Sequence, residues 1–305
     1  MGILDGKVAI ITGGGRGIGG EITRLFAEQG AALVVNDLGS TEDGKGADAG
    51  PASDIVAEIT GAGAKAVADG GDIADVATGE RLVATAIKEF GRLDIVVNNA
   101  GILRDRMIFN LSPEDWDAVI RVHLRGHYST VRPAAAYFRE QRNPDADYRI
   151  INFTSASGLY GSPGQPNYAA AKLGIVGLTY SLANGLRRYG VTANAIAPAA
   201  ATRLVATIPS DRAVGSSIAT EESEMAPRHI ARVALFLASD RSRWLTGQVL
   251  AAQGRHVGLL SRPAEVGSVT ADADWNFDAF AAATESEFRP IIDAEAPNLF
   301  ARQIR

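Results

Sequence analysis

The chain has 305 residues, 46% of them hydrophobic, and a net charge of −5, which is enough chain for one large α/β domain or two small ones. It contains no cysteine, which excludes disulfides, thiolate nucleophiles and zinc–thiolate sites and fits a reducing compartment. There is no Lys/Arg-rich block, and His123, His127, His229 and His256 show no metal-type spacing, so neither a nucleic acid nor a metal ion is an expected partner.

The N-terminal MGILDGKVAIITGG lacks the basic and cleavable apolar regions of a signal peptide. Gly6 stands where a myristoylation signal needs Ser or Thr, and no apolar run is long enough for a membrane span. A cytoplasmic location and no membrane partner are expected. Strands are predicted at Lys7–Thr12, Ala32–Asp37, Ala66–Ile73, Asp94–Asn98, Arg149–Ser155, Val191–Pro198 and Gln248–Gln253. Between them, helical periodicity covers Arg16–Gln29, Ser53–Thr60, Val76–Phe90, Pro113–Arg139, Gly164–Tyr189 and Pro227–Ser239. Alternating strands and helices with near-continuous apolar strands imply an α/β, Rossmann-type, doubly wound parallel sheet of seven strands, with ligands outside the carboxyl ends of the strands. The polar, Gly-rich segment Gly39–Gly50 reads as a mobile loop. Residues 261–305 lack a clear strand and carry Trp275, Phe277, Phe280, Phe288 and Phe300. They read as an appendage of short helices, on the rim or against a partner subunit, after a dinucleotide-binding domain over 1–260. No internal repeat is present.

The first strand runs into TGGGRGIGG. Gly13, Gly17 and Gly19, with Arg16 and Ile18 between them, let backbone N–H groups approach a pyrophosphate at a helix N-terminus. Asp37 lies eighteen residues beyond Gly19, where a carboxylate accepts from the ribose hydroxyls of NAD and repels the 2′-phosphate of NADP. Arg16 pulls toward NADP, but the carboxylate weighs more. Asp72, beside Ile73, accepts from an adenine amino group or caps the next helix. Asn98, Asn99, Ala100 and Gly101 end the fourth strand, where the glycine permits close approach of a ligand and the amides can tie strands together.

Ser155 ends the fifth strand, thirteen residues before Tyr168, and Lys172 follows Tyr168 by four, on the same face of a helix. A phenol titrates near ~10 in isolation, and a neighbouring ammonium favours its phenolate, as does a positive nicotinamide ring, which moves the pKa toward neutrality. Tyr168 can then exchange a proton with a secondary alcohol or its ketone, Ser155 can hold the substrate oxygen, and Lys172 can tune the phenol and bind the nicotinamide ribose.

Over Gly6 to Leu260 these motifs, with Asn194-x-x-x-Pro198 and Thr202, resemble the short-chain dehydrogenase/reductase family. The resemblance implies an NAD-dependent interconversion of a secondary alcohol and a ketone, with Pro198 and Thr202 contacting the nicotinamide amide. Long helices paired between subunits would make a homodimer or homotetramer. Within the family, NDLG, NNAGILRDR, EDWD, RVHLRG and SASGLYGSPGQPNYAAAKLG resemble the (3R)-hydroxyacyl-CoA dehydrogenase unit of multifunctional enzyme type 2, also described as a 17β-hydroxysteroid dehydrogenase. This implies an acyl-CoA or steroid substrate. A free-steroid dehydrogenase, an acyl-carrier-protein ketoreductase and a non-catalytic NAD-binding scaffold are the alternatives. The chain departs from the resemblance in three places: His123 replaces the family's catalytic Asn, Pro198–Arg203 is less polar than in the subgroup, and Ala206–Glu224, where a substrate lid is expected, matches poorly. No hydratase or sterol-carrier region follows, so a stand-alone dehydrogenase is expected.

Overall fold

Every residue of β1 (Val8–Thr12, VAIIT) is buried, as an apolar run covered on both faces requires. The structure, a computed structural model, describes residues 2–143, 145–200 and 225–295. Beside β1 run β2 (Ala32–Asn36), β3 (Ala66–Asp69), β4 (Ile95–Asn98), β5 (Tyr148–Phe153), β6 (Val191–Ala199) and β7 (Val249–Gln253). The strand order is β3-β2-β1-β4-β5-β6-β7-β8, and all pairings through β7 are parallel.

The seven expected parallel strands are joined by an eighth, β8 (His256–Leu259), which pairs antiparallel with β7 across a turn at Gly254 and Arg255. Two-residue turns favour positive φ, and Gly254 has φ +53°. The strand is short and mostly exposed at the sheet edge, so no core-facing periodicity marks it in the sequence.

Alternate residues of each strand face opposite sides. Ile11, Val35, Val97 and Ile151 pack with Ile22 and Phe26 of α1 (Gly17–Glu28) and Leu237 of α8 (Arg228–Ala238). Ile10, Val34, Val96 and Ile150 pack on the other side with Leu82 of α3 (Val76–Phe90) and Phe138 of α5 (Gly126–Glu140). Each such side chain, fully buried, stabilises the fold by about 1.5–3 kcal/mol relative to exposure. Strand order reverses between β1 and β4, so the carboxyl ends of these two strands open a crevice.

Three boundaries differ from the sequence reading in ways that matter to the site. The predicted helix over Pro113–Arg139 is three pieces. Ser112 caps α4 (Pro113–Ile120) by accepting from Asp115 N at 3.1 Å. Residues Arg121–Arg125 then form a π turn that re-aims His123 before α5 begins. The third strand stops at Asp69, so Asp72 lies in the turn beyond it. The Gly39–Gly50 segment, expected as a mobile loop, is pinned: Leu103 N donates to Glu42 O at 2.9 Å, and Arg104 Nε donates to Asp43 O at 2.8 Å. Its polar composition reads as a free loop because the tethering atoms are backbone carbonyls, which leave no mark in sequence. It leads into α2 (Gly50–Gly61).

The chain divides into two compact units, Met1–Leu260 and Ser261–Arg305. In the second, α9 (Phe277–Glu295) is one long helix instead of several short ones. Asn276 Oδ1 accepts from Ala279 N at 2.9 Å, and Trp275 meets Phe280 edge-on at 5.7 Å.

Candidate active site

A cleft of 560 Å³ opens at the carboxyl ends of β1, β2 and β4. A larger depression of 840 Å³ lies at the opposite ends of the strands. It lies away from the carboxyl ends of the strands, and two of its arginines are paired, Arg24 with Glu58 at 2.7 Å and Arg92 with Asp94 at 2.6 Å.

The cleft brings together ten of the residues expected to hold a dinucleotide. Gly13, Arg16, Gly17 and Ile18 come from the β1–α1 turn, and Asp37 from the end of β2. Asp72 and Ile73 come from the turn after β3, and Asn99, Ala100 and Gly101 from the end of β4. Gly19 acts from behind: a Cβ there would lie 1.9 Å from Gly13 O and 2.5 Å from Asn99 Nδ2, so only glycine lets α1 start this close to β1. Asn99 Nδ2 donates to Gly13 O at 3.0 Å, and Thr12 Oγ1 accepts from the N–H groups of Asn99 and Ala100 at 3.1 and 3.2 Å. Asn98 has a structural role. It accepts from Thr130 Oγ1 at 2.6 Å and donates to Asn152 Oδ1 at 3.0 Å, and Asn152 donates on to Thr179.

Asp37 accepts from Gly15 N at 2.9 Å and from Gly39 N at 2.8 Å. Each carboxylate oxygen keeps acceptor capacity beyond these bonds. Arg16 donates from Nη2 to Ser40 O at 2.9 Å, while its buried Nε has no partner. Asp72 closes the turn before α3 and forms an ion pair, without capping the helix, whose N-cap is Asp75: Oδ1 accepts from Ala74 N at 2.9 Å and Oδ2 from Arg121 at 2.6 Å. The glycine cradle, the uncapped first turn of α1 and the Asp37 carboxylate fit a pyrophosphate and an adenosine ribose.

The chemical end adjoins this cleft through His123. The Gly101 Cα faces the His123 ring so closely that a Cβ would lie 2.3 Å from Cε1. The ring meets Tyr168 edge-on, with centroids 5.1 Å apart. Tyr168 and Lys172 lie on α7 (Pro166–Leu186), and Lys172 Nζ sits 5.4 Å from the centre of the tyrosine ring. Lys172 is 3% exposed and donates to Phe153 O at 2.7 Å. Ser155 caps α6 (Ala156–Tyr160), its Oγ accepting from Ser157 N at 3.2 Å, and its hydroxyl also acts on the phenol.

The sequence expects an ammonium and a bound nicotinamide ring together to lower the phenol's pKa, and the protein alone supplies an opposing effect. In the protein, burial dominates and pushes Tyr168 up to about 12, against a lowering hydrogen bond from Ser155. Burial also pushes Lys172 down to about 7. Desolvation penalises both charged forms at once, so the protein alone holds Tyr168 as a neutral phenol at pH 7.

Pro198 pairs with Ala252 near the end of β6, which runs on to Ala199. Thr202, Arg203 and the predicted lid at Ala206–Glu224 lie outside the described residues. Sequence reasoning missed Asp105. Its Oδ2 accepts from Gln165 Nε2 at 2.8 Å, Gln165 Oε1 accepts from Ser157 Oγ at 2.8 Å, and its buried Oδ1 has no partner. Burial raises the Asp105 pKa, and its charge in turn raises that of Tyr168. Both Asp105 and Gln165 stood inside stretches quoted for the resemblance, but no spacing rule marked either.

Among the described residues no helix is long and apolar enough to cross a membrane, and no group of His, Asp and Glu is placed to hold a metal. The short chain dehydrogenase family model matches residues 7–213. The chain is 46% identical over 272 residues to hydroxyacyl-CoA dehydrogenase ChsB1 of Mycobacterium tuberculosis, covering 85% of this chain and 81% of that protein. It is 47% identical over 205 residues to mouse peroxisomal multifunctional enzyme type 2, covering 67% of this chain and 27% of that enzyme. The chain therefore spans about a quarter of that multifunctional relative. A crystal structure of a short chain dehydrogenase from Mycobacterium avium superposes with a TM-score of 0.82 at 43% identity, covering 93% of this chain and 95% of that one. The chain belongs to the short chain dehydrogenase family and is an oxidoreductase of CH–OH groups.

Proposed function

We propose that the protein interconverts a 3-hydroxyacyl-CoA and its 3-oxoacyl-CoA with NAD as the hydride acceptor. The observation that carries the substrate class is the likeness to a hydroxyacyl-CoA dehydrogenase along most of both chains. Bound NAD supplies a ring carbon that takes the hydride and a positive charge beside it. The chain's own groups do the rest. Ser155 hydrogen-bonds the substrate oxygen, and Tyr168 Oη takes the hydroxyl proton as the C–H bond to carbon 3 breaks. Oxidation needs Tyr168 as phenolate, whereas its pKa in the protein alone is about 12. A cation in the cleft lowers that value, as does protonated Lys172. The reverse reaction uses the phenol directly as the acid.

NAD over NADP rests on Asp37, whose carboxylate at the end of β2 repels a 2′-phosphate. A homodimer or homotetramer is supported by Tyr128 on α5 and Leu173 on α7, both exposed in one protomer. A cytoplasmic location is supported only by the absence of cysteine. The test is a panel of (3R)- and (3S)-3-hydroxyacyl-CoAs, free hydroxysteroids and simple alcohols, run with each cofactor. The (3R)-acyl-CoA with NAD gives the highest kcat/KM. Preference for a free steroid or for NADP sinks this assignment.

A further inference from the structure

The stretch that carries Ser155 has little of its own to hold it in place. α6 is five residues long, too short to keep its position without packing. Just past β5, Thr154 Oγ1 donates to Lys172 O at 2.7 Å. Beyond Ser155, α6 lies against α7, so closely that a Cβ on Gly158 would stand 2.7 Å from Leu173 N. A further tie starts at Ser157, which is buried and whose N–H bonds Ser155 Oγ at 3.2 Å. Ser157 Oγ donates to Gln165 Oε1 at 2.8 Å. Gln165 is the N-cap residue of α7, and its carbonyl accepts from Ala169 N at 2.8 Å. That turn of helix contains Tyr168.

The direction of these bonds is set from Asp105. A carboxylate accepts and does not donate, so the Gln165 amide turns Nε2 toward Asp105 Oδ2, at 2.8 Å. Oε1 is then the end that faces Ser157, and it takes the Ser157 proton. A hydrogen bond to a charged acceptor is roughly twice as strong as a neutral one, which holds the amide in this sense. The segment that carries Asp105 is itself tied to the start of α7. Asn167, fully buried, donates from Nδ2 to Arg104 O at 3.2 Å, and its Oδ1 accepts from Tyr168 N at 2.8 Å. One amide therefore spans the first turns of α6 and α7, which carry Ser155 and Tyr168.

We propose that Gln165 is a positioning residue that sets the separation of Ser155 and Tyr168, through Ser157 on one side and its own helix turn on the other, with Asp105 locking its amide. Ser155 Oγ uses a lone pair on Ser157 N, so its proton is free for the substrate oxygen. Gln165 needs no contact with substrate to do this. Its effect falls in the transition state, because Ser155 must hold the substrate oxygen as Tyr168 takes the proton from it. The role in turnover rests on the function proposed above; the bonded chain itself does not.

Two variants cut the chain at different points. Gln165→Met removes both ends of the amide at similar length, and Ser157→Ala removes the hydroxyl alone. Each lowers kcat for oxidation of a (3R)-3-hydroxyacyl-CoA by about tenfold, the scale of one hydrogen bond. The KM for the acyl-CoA and the dissociation constant for NAD change by less than about threefold. The double variant lies within about twofold of Gln165→Met, because both changes cut the same link. Multiplication of the two losses, a change confined to KM, or unaltered turnover in Ser157→Ala overturns the proposal. If Gln165→Met does not fold, Ser157→Thr is set beside Ser157→Ala. The threonine keeps the hydroxyl and about a third or more of the turnover, and equal rates in the two overturn the proposal. A protein that turns over nothing in the panel refutes the function, and crystal structures then read the chain alone. Ser155 Oγ and Tyr168 Oη stay within hydrogen-bond reach in the unaltered protein and lose it in Gln165→Met, or in Ser157→Ala if the former does not fold. An unchanged separation overturns the proposal.

Discussion

At the cofactor wall, Asp37 takes two backbone N–H groups, and Thr12 and Asn99 lace the β1 and β4 ends together. At the catalytic wall, Asp105, His123 and His127 each leave a buried polar atom without a protein partner, and Lys172 is buried with one bond. Arg16 Nε alone breaks the pattern on the first side. The first wall is preorganised by satisfied bonds to receive a ligand of fixed shape. The second keeps donors and acceptors open and holds Tyr168 and Lys172 far from their usual pKa values, as proton transfer requires. A rigid side thus adjoins an electrostatically loaded one.

The sharpest way to break this contrast is at Asp37. Asp37→Ser removes the like-charge repulsion of a 2′-phosphate, so the NADP/NAD ratio of kcat/KM rises by about 100-fold, the scale of several kcal/mol. An unchanged ratio means that the carboxylate serves only its two backbone bonds. Gly101→Ala acts at the seam between the walls. Its Cβ would lie 2.3 Å from His123, so overpacking costs about 1–3 kcal/mol in the unfolding midpoint. Turnover falls by about tenfold as the displaced imidazole disturbs Tyr168. Equal stability of the variant would show that the ring moves freely.

Asp105→Asn probes the loaded wall. Its carboxylate raises the Tyr168 pKa, so its removal shifts the acid limb of the oxidation profile down by about half a unit. A shift upward would contradict the placement of that charge. A further effect is on stability. The folded pKa of His127 is about 3 against 6.5 for the free side chain, and His123 is lowered as well. The unfolded chain therefore binds more protons between these values, and stability falls as pH drops from 6.5 toward 3. The slope is about 1.4 kcal/mol per unit for His127. Melting temperatures from pH 7 to pH 4 test this, and His127→Gln flattens the curve.

The parts of this site legible in sequence are those written as spacing. Gly13 to Gly19 and the Tyr168–Lys172 pair are fixed by a turn and by a helix period, so their positions follow from chain order. Ser155 follows because the fifth strand ends there. The parts that were not legible depend on contacts distant in sequence. The Gly39–Gly50 segment is held by Leu103 and Arg104, and β8 by pairing alone. The π turn at Arg121–Arg125 looks like uninterrupted helix in its residue pattern. The raised pKa of Tyr168 in the protein alone is not legible for a related reason: spacing shows the neighbouring ammonium but not the desolvation that outweighs it. Asp105 and His127 carry no motif, and only their unmade bonds single them out.

The central claim is that Tyr168 moves the proton. The most direct test compares Tyr168→Phe with the unaltered protein for NAD-dependent oxidation of a (3R)-3-hydroxyacyl-CoA and, separately, for NAD binding. The account predicts a loss of turnover of about 10²–10⁴-fold with the dissociation constant for NAD changed less than about threefold. Turnover within a few-fold of the unaltered protein would contradict it.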